Sequence, residues 1–238
     1  MLLEKLCPNQ ESSIEEWRNF TIASTFVFCG LRMSELRALR WHNIDFDLQK
    51  LSIKNSIVGT ILGKGKTKAA QRTITIHPLL LRVLKQWKRV HYSYWKETTS
   101  WVYPGIGKYS DLPVPVWERS IRDFLNLAFA DLGLAKIKLV SEKGRPSRKR
   151  IVILWSKFGN NPTRTFRHFS STSLVEAQAA NPDILHDNFI RNYQGHESIE
   201  TTRNIYARHL NRDATPERVA SEAKALANAI PIELPLIK

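Results

Sequence analysis

The chain has 238 residues, enough for one large domain or two small ones, and 42% of them are hydrophobic, as in an ordinary globular protein. Its 36 lysines and arginines exceed its 22 aspartates and glutamates by 14, so the simplest partner is a polyanion, either nucleic acid or an acidic membrane surface. No apolar run is long enough to span a bilayer and no signal-peptide pattern occurs, which favours nucleic acid. A merely basic protein without such a partner is the alternative.

The first predicted element is a mostly apolar helix. Ser12 or Ser13 caps its start, and Gly30 ends it. Neither of the two cysteines, Cys7 and Cys29, has a metal-ligand spacing, and no cluster of His, Cys, Asp and Glu does. We therefore expect reduced thiols, a cytoplasmic location and no metal or other cofactor.

An arginine stands directly before the next, short helix, in the motif Gly30-Leu31-Arg32-Met33-Ser34-Glu35-Leu36. Glu35 lies three residues after Arg32 and can reach back to it. An arginine that a carboxylate holds is pre-organised for a bidentate contact with phosphate. Taken alone, the segment fits a structural Arg-Glu pair equally well.

Three segments that alternate apolar and polar residues, 44–46, 51–53 and 72–76, predict a small antiparallel sheet. Between the last two lies a glycine-rich hairpin tip, residues 63–68, which carries Lys64, Lys66 and Lys68. The spacing of its glycines excludes a nucleotide-binding phosphate loop. The tip either delivers a lysine to a phosphate site or is a solvated basic turn.

Helices follow from Pro78 and over residues 117–132, and a basic loop follows them at about 141–150. This loop carries Arg145, Arg148, Lys149 and Arg150, and it either tracks a DNA backbone or is disordered. Pro162 opens a further helix. In its first turns Arg164 and Arg167 lie three residues apart and face one side. A last helix, at about 216–230, has an apolar face that packs either on its own domain or on a neighbouring subunit.

The stretch from Gln194 to Tyr206 predicts a tight turn at Gly195, a helix, and a tyrosine near the end of that helix. A histidine such as His196 can hydrogen-bond a phosphate oxygen, and a tyrosine oxygen can attack the phosphorus. A turn and helix without any catalytic role would have the same pattern.

Together these motifs resemble the tyrosine recombinase family, also called phage-type integrases. The resemblance rests on G-L-R-M-S-E-L at 30–36, W-H-N-I-D-F-D at 41–47, K-G-K-T-K…R-T-I-T-I at 64–76, R-T-F-R-H-F at 164–169 and G-H-E-S-I-E-T-T-R-N-I-Y at 195–206. It implies an α+β fold, mainly α-helical with a small three-stranded antiparallel sheet. It also implies one catalytic domain over 1–238, without the N-terminal DNA-clamping domain of longer members.

The resemblance implies a role for each matching residue. Arg32 and Arg167 clamp the phosphate, Glu35 holds Arg32, and His196 hydrogen-bonds the phosphate. Lys66, in preference to Lys64 or Lys68, is the general acid for the leaving 5′ oxygen, and Tyr206 is the nucleophile. Arg164 stands where the family usually has a histidine, and arginine cannot act as a base because it stays protonated.

The implied function is site-specific DNA recombination and integration, encoded by a phage or another mobile genetic element of bacteria. The implied reaction is metal-free cleavage and rejoining of DNA strands through a covalent 3′-phosphotyrosine intermediate. The implied partners are double-stranded DNA, further copies of the chain in a tetramer, and accessory DNA-bending proteins. Two alternatives are a DNA-binding module that has lost catalysis and a nicking-closing enzyme like the type IB topoisomerases.

Overall fold

One long buried helix, α2, is the centre of the fold, and helices α1, α3, α4, α5 and α6 pack against it. The computed structural model describes residues 1–64, 70–105, 114–142, 145–157, 161–196 and 216–230. The helices are α1 (Leu2–Leu6), α2 (Ile14–Cys29), α3 (Met33–Arg37), α4 (Pro78–Trp95), α5 (Glu118–Asp131), α6 (Pro162–Ala180), α7 (Asp187–Gln194) and α8 (Pro216–Ala229). The strands are β1 (Ile44–Asp45), β2 (Lys50–Ile53), β3 (Asn55–Val58), β4 (Ile61–Lys64), β5 (Arg72–Thr75), β6 (Ala135–Glu142) and β7 (Arg145–Ser156).

The sequence of α2 explains both of its ends. The Ser13 hydroxyl accepts the backbone N–H of Glu16, while the Glu16 carboxylate accepts the backbone N–H of Ser13, which completes a capping box. Gly30 ends the helix with φ of +57°, a conformation that glycine adopts without steric cost. Between these ends every residue from Trp17 to Cys29 except Asn19 is buried, so the predicted helix and both its boundaries are confirmed.

Strands β1, β2 and β5 form the predicted three-stranded antiparallel sheet, in the order β1-β2-β5. Leu51 pairs with Ile44 on one side and with Ile74 on the other. Because side chains alternate across a strand, this register turns Leu51, Ile53 and Ile74 toward the core, where each is less than 4% exposed.

The predicted hairpin tip at residues 63–68 is wrong at its start, because Gly63 and Lys64 belong to strand β4, and residues 65–69 lie outside the described residues. The chain turns earlier, at Gly59-Thr60, where Val58 pairs with Ile61. Lys64 is an exposed residue at the end of β4, while Lys66 and Lys68 lie outside the described residues. The apolar residues of β3 and β4 occur as adjacent pairs rather than in alternation, so these strands lack the period-2 pattern that would have predicted them.

The basic loop predicted at 141–150 is also wrong as a structural assignment. Residues up to Glu142 belong to β6 and residues from Arg145 belong to β7, and the two strands form a long antiparallel hairpin. Cross-strand apolar pairs, such as Leu139 with Ile151, stabilise it. Glycine and proline at 144 and 146 suggested a loop, but pairs between distant residues cannot be read from local composition.

The predicted helix from Pro216 is confirmed, and it packs on its own domain. Ala225, Leu226 and Ile230 are at most 3% exposed, and Leu226 belongs to the same core cluster as α2 and α6. In the part of the chain that the structure describes, the helices are all too short or too polar to cross a membrane.

Gly30 gives a direct test of this packing. A Cβ atom added there would lie 2.8 Å from Oε1 of Gln194 and 3.0 Å from Oγ of Ser170, at a φ that L-residues disfavour. We expect Gly30→Ala to lower the free energy of unfolding by about 2 to 4 kcal/mol in urea denaturation. Gly133→Ala is the matched control, because Gly133 has φ of +69° with open space around it, and should cost only about 1 kcal/mol. Equal losses in the two variants would contradict the packing argument.

Candidate functional site

The Arg32-Glu35 pair forms as predicted. Arg32 is the N-cap residue of α3, and its backbone N–H donates to Oε2 of Glu35 at 3.0 Å. Its Nη1 donates to Oε1 of the same carboxylate at 2.7 Å. The Glu35 side chain is 3% exposed, whereas that of Arg32 is 43% exposed. The buried carboxylate therefore fixes one edge of a guanidinium that remains partly open to solvent.

Sequence reasoning missed the second arginine on this carboxylate. Arg72, the first residue of β5, donates from Nη1 to Oε1 of Glu35 at 3.1 Å and from Nη2 to Oε2 at 3.0 Å. A usable signal was present, because the alternation of β5 places Arg72 on the same face as the core residues Ile74 and Ile76. An arginine on the apolar face of a strand requires a buried partner.

Two arginines keep the buried carboxylate ionised. Burial raises the pKa of Glu35, but the hydrogen bonds and charges of Arg72, followed by those of Arg32, outweigh burial and lower it below its ordinary value. Glu35 is therefore an anion that is shared by two cations. The site keeps an excess of positive charge.

Arg167 adds a third cation and is held by backbone carbonyls. Its Nη1 donates to the carbonyl oxygen of Gly30 at 2.8 Å, and its Nη2 donates to that of Gln194. Burial, together with the nearby charges of Arg32 and Arg72, lowers the pKa of Arg167 to about 9, and the charge of Glu35 opposes this shift. An anion placed beside this guanidinium would stabilise its charged form and raise its pKa again.

His196 lies in the turn that ends α7. Gly195 has φ of +64° and its carbonyl oxygen accepts a hydrogen bond from Nη2 of Arg32 at 3.0 Å. Burial lowers the pKa of His196 to about 4, with help from the charges of Arg167 and Arg32. The imidazole is therefore neutral at pH 7 and can donate a hydrogen bond without adding charge.

Tyr193 ties this turn to the core. Its hydroxyl oxygen lies 3.0 Å from the carbonyl oxygen of Phe28 in α2 and 3.2 Å from that of Thr75 in β5. The ring is 1% exposed. The end of α2, the strand that carries Arg72 and the turn that carries His196 are thereby fixed to one another.

Three arginines open onto one cleft of about 320 Å³. Arg32, Arg164 and Arg167 line it, and Arg164 is exposed there. The other lining residues are Leu31, Met33, Ser34, Ile57, Val58, Gly59, Glu118, Asn161 and Thr163. A cleft with this surplus of fork-shaped donors suits a tetrahedral oxyanion such as a phosphate group.

The predicted residues therefore divide into three groups. Arg32, Glu35, Arg167 and His196 lie together, and Arg164 lines one cleft with Arg32 and Arg167. Tyr206, like Lys66, lies outside the described residues. The predicted DNA-contacting residues Arg145, Arg148, Lys149 and Arg150 all belong to strand β7, in the hairpin that precedes α6.

The depressed pKa of His196 predicts a pH effect on stability. The unfolded histidine takes up a proton below about pH 6.5, whereas the folded one does so only near pH 4. Since the unfolded state binds more protons between these values, stability should fall as the pH drops from 6.5 to 5. Buried His77 and His91, whose pKa values burial also lowers to about 4, should add to the slope.

Urea midpoints measured from pH 7 to pH 5 check this prediction. The slope of unfolding free energy against pH reports the number of protons taken up on unfolding. We expect His196→Asn to reduce this number by up to about one, and His42→Asn, at an exposed position, to leave it unchanged. A slope that His196→Asn does not alter would contradict a neutral, buried His196.

Comparisons with known proteins agree on the family. A family model described as phage integrase family matches residues 3–212, and a search of curated proteins found no match. Similar solved structures include the Tn1549 transposon integrase in complex with transposon right end DNA (14% identity, TM-score 0.56, covering 95% of this chain and 63% of that one). The XerA recombinase is similar as well (18% identity, TM-score 0.55, covering 94% and 61%). So is the integrase of mycobacterium phage Brujita (14% identity, TM-score 0.54, covering 99% and 58%).

At these identities the solved structures establish the fold, and the chain spans about three fifths of their length. Their catalytic-domain fold is the mainly helical α+β fold that the sequence predicts. The family model, by contrast, covers most of the chain. The chain thus belongs to the phage integrase family and has the fold of the tyrosine recombinases.

Proposed function

We propose that this chain cleaves and rejoins DNA strands in site-specific recombination, through a covalent link between a tyrosine and the 3′ phosphate. The observation that carries the proposal is the cleft in which Arg32 and Arg167 face the same space as Arg164. Glu118 also lines the cleft but pairs with Arg122, and buried Glu35 is already shared between Arg32 and Arg72, so these two carboxylates offset only part of this charge. The site is therefore complete only with an added anion, and a DNA phosphate supplies one.

The proposed chemistry follows from where charge develops. In the transition state the non-bridging oxygens of the phosphate carry added negative charge, which Arg32 and Arg167 neutralise from fixed positions. Neutral His196 donates a hydrogen bond to one of these oxygens. Because the donors are held before substrate binds, little reorganisation is needed during the reaction.

The covalent steps rest on the resemblance to the family. The phenol of Tyr206 loses its proton to water as its oxygen attacks the phosphorus, the bond from phosphorus to the 5′ oxygen breaks, and Lys66 gives a proton to that leaving oxygen. Of the three lysines at residues 64–68, we assign this role of general acid to Lys66 rather than to Lys64 or Lys68. A free 5′-hydroxyl of another strand then attacks the phosphotyrosine and releases Tyr206. In the proposed assembly four copies hold two DNA sites, with accessory DNA-bending proteins.

A second candidate function is DNA binding without cleavage. It is favoured by Arg164, which is exposed in the cleft at the position where the family usually has a histidine. A guanidinium can stabilise the phosphate or the departing phenolate, but it cannot accept a proton at neutral pH. The two candidates differ in whether a covalent complex forms.

We expect a covalent DNA complex on Tyr206. The chain is incubated with nicked duplexes tiled across the DNA that flanks its own gene, denaturing gels detect the complex, and mass spectrometry maps the linked peptide. Tyr206→Phe should abolish the complex, because it removes the nucleophilic oxygen, and should leave DNA binding intact. A link on another tyrosine would refute the assignment of the nucleophile.

The role of Arg164 is tested in the same assay. If Arg164 serves the reaction as a phosphate ligand, Arg164→Ala should slow formation of the complex by about 100-fold, as loss of one charged donor does at other sites. DNA bound without a complex by the parent chain, together with cleavage by Arg164→His, would instead establish the non-catalytic candidate.

The β6-β7 hairpin is expected to contact the DNA backbone. Changing Arg145, Arg148, Lys149 and Arg150 together to Gln should reduce the slope of log affinity against log salt by about 2 to 4, since each lost phosphate contact removes close to one released ion. The control removes the same charge from the exposed residues of α4, by changing Arg82, Lys85, Lys88 and Arg89 to Gln. A larger reduction of this salt slope in the control variant would indicate that the DNA contacts α4 rather than the β6-β7 hairpin.

A further inference from the structure

Arg72 is a buried cation beside the cleft, and the proposed chemistry gives it no part. Its side chain is only 5% exposed. Among the described residues, those that line the cleft do not include it. Arg72 therefore does not touch a phosphate that is bound there. Its effect, if any, must pass through the groups that it holds.

Within the described part of the chain, the guanidinium makes four hydrogen bonds to three partners. Nε donates to the carbonyl oxygen of Tyr193 at 3.0 Å, and Nη1 donates to that of Ala70 at 3.3 Å. Nη1 and Nη2 also donate in parallel to the two oxygens of Glu35, at 3.1 and 3.0 Å. A planar fork of five N–H groups can satisfy this set at once, whereas a lysine ammonium cannot.

Two of these partners adjoin the residues that face the phosphate. Glu35 accepts both the backbone N–H and Nη1 of Arg32. Tyr193 lies two residues before Gly195, whose carbonyl oxygen accepts Nη2 of the same Arg32. Both anchors of the Arg32 guanidinium thus rest on Arg72, one through a carboxylate and one through the backbone of α7.

We propose that Arg72 is a positioning residue for strand cleavage, which fixes the guanidinium of Arg32 against the phosphate by holding Glu35 and Tyr193. This inference rests on the proposed function. Without Arg72, Glu35 would keep one cationic partner and could turn with it, so Arg32 would lose its fixed orientation. A displacement of about 1 Å in such a group is enough to slow catalysis by up to about 100-fold.

The test separates positioning from stability by changing the charge of the phosphate. Wild-type protein first maps the cleaved position. The covalent complex is then timed on the ordinary duplex and on one with a methylphosphonate at that position, which lacks one charged oxygen. Since Arg32 acts by neutralising that charge, a defect in its placement should matter less on the neutral substrate.

We expect Arg72→Lys to form the complex about 10- to 100-fold more slowly than wild type on the phosphodiester. On the methylphosphonate the difference should shrink to less than about threefold. DNA affinity should change by less than about threefold, because the lost interaction matters in the transition state rather than in binding. Arg72→Gln, which still donates to Glu35, provides a second variant if Arg72→Lys does not fold.

The matched control is Arg18→Lys. Arg18 is also a buried arginine, 3% exposed, with a carboxylate partner in Glu15 at 2.9 Å and a carbonyl partner in Pro104 at 3.2 Å. It lies in α2 and does not contact the site residues described above. Its loss should lower thermal stability but leave both cleavage rates within about threefold of wild type.

Two results would overturn the inference. One is a variant of Arg72 that cleaves the phosphodiester at the wild-type rate. The other is an equal slowing on both substrates, which would mark a general structural defect. Failure of the proposed function is distinct, because wild-type protein itself would then form no covalent complex on either duplex.

Discussion

The buried carboxylate of Glu35 is the interaction on which the site depends. It accepts hydrogen bonds from two arginines, one at the N-cap of α3 and one in β5, and it stays ionised in spite of its burial. Removing one partner of such a buried group is far more costly than the pair is worth, because an uncompensated charge remains. The carboxylate therefore sets the orientation of Arg32 as well as part of its charge.

The site holds more guanidinium groups than carboxylates, so its charges are not balanced. Arg32 and Arg72 share the one carboxylate of Glu35, and burial together with the charges of these two arginines lowers the pKa of the nearby Arg167. Burial, helped by the charges of Arg167 and Arg32, likewise lowers the pKa of His196 and keeps its imidazole neutral. A bound phosphate would lower the repulsion among the arginines, so binding and the ionisation of Arg167 should favour each other. In the proposed strand cleavage negative charge develops on the phosphate, and positive groups that are fixed before the substrate binds stabilise that charge best.

Much of the fold, and part of the candidate site, could be predicted from local sequence. Caps, glycines and apolar periodicity located α2, the three-stranded sheet and the pairing of Arg32 with Glu35, since each is decided by residues a few positions apart. The β3-β4 and β6-β7 hairpins were missed because cross-strand pairs decided them. The partners of Arg167 were beyond reach for the same reason: the carbonyl groups of Gly30 and Gln194 carry no side-chain signature and lie 137 and 27 residues away.

The hydroxyl of Tyr193 bridges elements that are very distant in sequence, with Phe28 165 residues before it. The chain is made from its N-terminus, so Arg32 and Glu35 leave the ribosome long before the turn that completes their surroundings. At typical rates of synthesis, about 5 to 20 residues per second, this delay is roughly 10 to 30 seconds. During that time Arg32 lacks the carbonyl oxygen of Gly195 that holds its Nη2, so the proposed phosphate site forms only late in synthesis.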